Sequence, residues 1–160
     1  MVITALALAA AQLLGTEGAS CSTAGGPAIR ATVSGLKDRR GNLKLELYPA
    51  NGADWLKDDR DLLAQGKAFR RIRVATPASG EVQLCIRAPQ PGRYALLFTH
   101  DRDGKNKFHL WQDGMGVPSN ARVGRAKPKY DRAMVDVGAG GANVIIRAQY
   151  LKGLGGFGPL

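Results

Sequence analysis

The densest set of side chains able to do chemistry is His100-Asp101-Arg102-Asp103-Gly104, followed by Lys105, Lys107 and His109. Asp101 and Asp103, two apart in a Gly-containing turn, are the beginning of an oxygen-ligand loop for a hard cation. Lys105 and Lys107 repel a cation there, so no metal is assigned and Asp101 and Asp103 stand only as its candidates. His100, Asp101 and His109 are donor types that zinc accepts, but their spacing matches no zinc signature. His100 as a general base would need an acid aimed at it, and adjacent strand residues point to opposite faces. No Ser or Cys lies in a nucleophile motif, so no catalytic residue is assigned. The plainest use of the acids is to accept hydrogen bonds from backbone N–H groups around Gly104, with His100 held at a strand end.

This turn must be positioned by the stretch before it. In Arg93 to Thr99, Tyr94, Leu96 and Phe98 point one way, and Ala95 and Leu97 the other. A strand apolar on both faces belongs in the middle of a packed sheet. Upstream, Ile29 to Ser34 alternates apolar and polar, and Leu43, Leu45 and Leu47 alternate with Lys44, Glu46 and Tyr48. With the polar turn at 37–42, these two predict a hairpin. Asp54 is placed to cap a short helix through Trp55, Leu56, Leu62 and Leu63. Strand patterns return at Phe69 to Ala75, Val82 to Ile86, Ala133 to Val137 and Asn143 to Leu151. Between Asp101 and Asp131 there is no strong period, which leaves one long loop of the kind that carries function. The expected fold is all-β, an antiparallel Greek-key β-sandwich of about seven strands with one short helix and one long loop.

The ends of the chain set the domain boundaries and the compartment. Residues 1–20 open with an apolar run of about 14 residues followed by small and polar ones, the pattern of a signal peptide; the run is too short to span a bilayer. Residues 21–152 form the sandwich domain, and 153–160, rich in Gly, a flexible tail. Two cysteines, Cys21 and Cys85, in an exported chain predict one disulfide closing a 64-residue separation. The expected location is the periplasm or the exterior. Cleavage just before Cys21 also raises lipoprotein anchoring there, although Gly18 stands where a lipoprotein signal has an aliphatic residue.

The formal net charge is +10, and loss of residues 1–20, whose one charged side chain is Glu17, raises it to +11. Such a chain suits anionic partners. The basic residues are dispersed and lack the aromatic interleaving of a single-strand platform, so nucleic acid is not expected. An anionic cell-envelope component or another exported protein fits better.

From His100-Asp101 outward, several short blocks in order carry a family resemblance. They are Val33-Ser34-Gly35-Leu36, Gly41-Asn42, Pro91-Gly92-Arg93-Tyr94-Ala95, His100-Asp101, Gly116-Val117-Pro118-Ser119-Asn120 and Pro128-Lys129-Tyr130-Asp131-Arg132-Ala133. The chain resembles a bacterial exported-protein family of unknown function, domain of unknown function 2141, over nearly all of residues 21–152. The resemblance implies an immunoglobulin- or transthyretin-like sandwich with no established activity. It departs from the family pattern at Lys105, which takes the third position of a calcium-like turn, and at His109, which replaces the turn's final acid.

The sequence thus supports an exported, non-catalytic accessory or binding protein without a cofactor. Its candidate binding residues are His100, Asp101 and Asp103 in the turn and Arg122, Arg125 and Lys127 in the long loop. The alternative is a metal-binding module using the turn after His100-Asp101; a hydrolase ranks third.

Overall fold

The computed structural model describes residues 13–15, 21 and 25–160. Two β-sheets pack face to face. The first runs in the order β1 (Leu13–Leu14), β5 (Val82–Arg87), β2 (Ala28–Ser34), β9 (Ala142–Arg147). The second runs β11 (Phe157–Pro159), β10 (Gln149–Leu151), β7 (Gly114–Gly116), β6 (Gly92–Asp101), β3 (Asn42–Pro49), β4 (Arg70–Ala75), with β8 (Met134–Val137) also paired to β6. The expected all-β sandwich is the observed architecture. Most pairs are antiparallel, while β2–β9 and β1–β5 are parallel. The expected signal segment 1–20 lies outside the described residues except for 13–15.

β6 is the central strand that its double apolar face demands. β3 flanks one side along its length, and β8 and then β7 divide the other. Tyr94, Leu96 and Phe98 point into the core between the sheets, where they meet Ile29, Leu43, Leu45, Leu47, Leu84, Ile86 and Ile146. Ala95 and Leu97 point outward into a second cluster with Tyr48, Leu62, Phe69, Val117 and Ala133. Each fully buried Leu or Ile of these layers contributes roughly 1.5–3 kcal/mol of transfer free energy.

Several expectations change, among them the single strand expected over Asn143 to Leu151, which is two strands, β9 and β10, in different sheets. The proposed hairpin of β2 and β3 is not one, because the two strands lie in different sheets. The segment 35–41 arches across the sandwich, so that Ala31 and Val33 meet Leu43 and Leu45 through the core instead of along a ladder. The helix α1 is shorter than expected, Asp59–Ala64, and its cap is Asp58, whose side chain accepts from Arg60 N–H. Asp54 is instead buried, accepting from Lys67 Nζ at 2.6 Å and from Asn51. The long loop contains β7, and the expected tail turns back through Gly153–Gly155 to add β11 to β10, with Phe157 buried. Strands this short leave little period to detect.

Gly114 explains how β7 fits. A Cβ there would lie 2.4 Å from the Tyr150 ring, so the absence of a side chain is what lets that ring lie across the strand. Gly41 is similarly confined: its φ is +68°, and a Cβ would lie 2.0 Å from the carbonyl oxygen of Asp101.

Cys21 and Cys85 form a disulfide with a Cα–Cα distance of 6.4 Å, both buried on the outer face of the first sheet with Ala28. The 64-residue closure predicts that Cys21→Ser, or reduction, lowers unfolding free energy by about 4 kcal/mol. Urea unfolding of oxidised and reduced protein checks this; superimposable curves would refute it.

Candidate functional site

The outer face of the second sheet is covered over its middle, where Tyr48, Ala95 and Leu97 pack under other chain. Tyr48 anchors its cover, packing edge-on against Trp55 (5.2 Å between centroids) and Phe69 (5.1 Å). Trp55 Nε1–H donates to Pro128 O at 2.6 Å, tying the α1 layer to the long loop. Where this cover stops, a cavity of about 390 Å³ opens. Its floor is Lys44, Glu46, Leu97, Thr99 and Met115 from β3, β6 and β7. Its walls include Leu56, Phe108, Leu110 and Phe157, with Phe108 and Phe157 6.0 Å apart. This volume and lining belong to the range of small-molecule sites.

Two charged residues lie on that floor, each 7 % exposed. Glu46 is compensated: Arg71 Nε donates to it at 2.6 Å, and Tyr48 O–H donates at 3.4 Å. Burial is the first cause, and Glu46 the second, that pushes the Tyr48 phenol far above its usual range. Lys44 has no acidic partner among the described residues. Its ammonium makes one long contact, to Asn106 Oδ1 at 3.5 Å. Exposed Phe108, Leu110 and Trp111 gather on the loop nearby, an apolar grouping that monomeric surfaces seldom leave uncovered without a use.

The sequence candidates distribute unevenly about this cavity. Arg125 and Lys127 are on its lining, although Arg125 also donates to Leu154 O. Arg122 lines an adjoining depression and donates to Gly155 O at 3.1 Å.

His100 lies on the opposite face of β6, inside the core and 0 % exposed. Its Nε2 is 2.8 Å from Arg40 O, which can only accept, so Nε2 carries the proton. Its Nδ1 accepts from Tyr150 O–H at 2.7 Å, and that oxygen accepts from Lys37 N–H at 3.0 Å. Both ring nitrogens are therefore occupied, and burial lowers the imidazole pKa, keeping it neutral. The same burial raises the Tyr150 phenol to about 12. This chain of hydrogen bonds pins the 35–41 arch to the core.

Asp101 and Asp103 remain together in the turn, and the structure adds Asp113, which the sequence reading passed over. Its two oxygens accept from Arg102 N–H (2.8 Å) and His109 N–H (2.7 Å), closing the loop base. Twelve positions from Asp101, in a stretch without period, it offered as its one signal an acid immediately before Gly114. Beside it, Arg102 Nε donates to Asp38 at 2.9 Å, and the guanidinium is the first cause holding the Asp38 carboxyl below its usual range. His109 itself is exposed and outside the acid group.

These features define a class: a two-sheet β-sandwich whose second sheet carries a loop-roofed apolar cavity above a buried amine. The chain belongs to the family described as an uncharacterized protein conserved in bacteria (DUF2141), whose model matches residues 31–145, from β2 into β9. No curated protein and no solved structure matches it at a significant level.

The hydrogen-bond chain makes a test. Tyr150→Phe strips the partner from both His100 Nδ1 and Lys37 N–H while keeping the ring over Gly114. It should cost about 2–3 kcal/mol in urea unfolding, since a buried group left unpaired loses its full desolvation penalty. A loss under about 0.5 kcal/mol would show that water restores the pairing.

Proposed function

We propose that the protein is an exported, non-catalytic binding module that takes up an amphipathic anion, an alkyl chain ending in a carboxylate or phosphate, in the cavity on the second sheet. The observation that carries this reading is Lys44: a residue only 7 % exposed, on the floor of an apolar cavity, with no acid partner for its ammonium among the described residues. An unpaired buried cation is costly, and an anionic headgroup is the ligand chemistry that offsets that cost. Leu97, Phe108, Leu110 and Phe157 would hold the chain, while Arg125 and Lys127 at the lining add attraction to the same sign of charge.

Export is supported by the signal-like segment at 1–20 and by the Cys21–Cys85 disulfide, a bond suited to an oxidising compartment. That bond also occupies the sulfur that lipid attachment at Cys21 would need, which favours an unanchored protein. No helix among the described residues is long and apolar enough to cross a membrane.

Calorimetry with dodecanoate, below its micelle concentration, tests the reading. Dodecanoate should bind, dodecanol should bind more weakly, and Lys44→Met should weaken dodecanoate by about 10–100-fold, the value of a charge-assisted hydrogen bond. Absence of binding, or equal affinity in the Lys44→Met protein, would overturn it.

A further inference from the structure

At the root of the loop, Asp101, Asp103 and Asp113 each bring a carboxylate oxygen to within 4.8 Å of the others. Two of the three residues are buried, Asp101 and Asp113, each 1 % exposed. Acidic residues gathered at a surface turn would mean little, but Asp101 supplies a separate sign. Its Oδ2 accepts from Asn106 N–H at 3.0 Å and from Arg73 at 3.4 Å, while its Oδ1 is buried with no hydrogen-bond partner. A buried carboxylate oxygen without a donor carries an uncompensated desolvation penalty. Asp101 belongs to the one group of carboxylates, among the described residues, that could hold a cation.

We propose that Asp101, Asp103 and Asp113 form a calcium site that fastens the base of the long loop to the end of β6. The donors are all oxygens, which selects a hard cation and disfavours zinc. Oxygens bound at 2.3–2.6 Å to one calcium ion are separated by about 5.2 Å at most when opposite and by less otherwise, so three oxygens within 4.8 Å of one another need only a small adjustment at most to share an ion. The charges also fit: of three carboxylates, Arg73 compensates one, leaving two for a divalent ion. Existing hydrogen bonds do not exclude the ion. Asp103 Oδ1 accepts from Lys105 N–H at 3.0 Å and Asp113 accepts from Arg102 and His109 N–H, each oxygen keeping a further lone pair. Lys105, Lys107 and Arg73 weaken the site, so its affinity belongs with extracellular calcium modules, a Kd of about 10⁻⁴–10⁻³ M. The site stands apart from the cavity reading, but its loop carries Phe108 and Leu110 over that cavity.

The experiment uses the full oxidised chain, treated with EDTA and dialysed, then titrated with CaCl2 to about 10 mM against an ionic-strength-matched NaCl control. Calcium should raise Tm by about 3–10 °C and give a saturable heat by calorimetry. Asp103→Asn, at the least buried ligand, should keep the fold and lose about tenfold or more in calcium affinity. Arg73→Gln should lower Tm without calcium and show a larger calcium shift, since the competing cation is gone. A wild-type protein without a calcium-specific heat or shift, or an Asp103→Asn protein that responds as fully as wild type, would overturn the site.

Discussion

From Tyr94 onward β6 is covered on both faces, and that constraint organises everything around it. A strand carrying Tyr94, Leu96 and Phe98 on one side and Ala95 and Leu97 on the other must be covered twice. The first cover is the opposing sheet, whose Leu84, Ile86 and Ile146 complete an ordinary sandwich core. The second comes from irregular chain and α1, because the described residues form no third sheet. The α1 region and the long loop supply it through Tyr48, Trp55, Leu62 and Val117. The loop is thus a structural layer as well as a candidate binding element.

Covering the outer face also forces polar groups into a dry place. β3 alternates, so the strand that gives Leu43, Leu45 and Leu47 to the core gives Lys44 and Glu46 to the second layer. Arg71 and Tyr48 neutralise Glu46. Lys44 receives no such partner among the described residues, and the cavity exists where the cover fails to close above it. Burial without compensation marks both the Lys44 floor and Asp101 Oδ1. These are two places where the fold retains unfavourable electrostatics that a ligand would remove.

His100 and Asp101 illustrate how adjacency in sequence misleads about chemistry. The pleat sends the imidazole into the core, where Tyr150 and Arg40 take both nitrogens, and sends the carboxylate outward to Arg73, Asn106 and the acid cluster. They share a strand and no environment. The imidazole holds the 35–41 arch, and the carboxylate holds the loop.

Local pattern alone determined the parts of this protein that depend on period and composition. Alternation along 94–98 required a central, doubly covered strand; the runs at 29–34, 43–48, 82–86 and 133–137 required strands; and two cysteines required one pairing. Hydrophobic alternation reports which side of a strand is buried, and it is silent on which strand lies opposite. For that reason the β2–β3 arch was indistinguishable from a hairpin, and the three-residue strands β7, β10 and β11 left no period to read. The acid group needed Asp113 to return to a turn twelve residues earlier, and the cavity needed Lys44, Phe108 and Phe157 to converge from three separate segments. Only tertiary structure decides such meetings, because they are set by how the chain closes over its second layer and by no spacing within any one stretch.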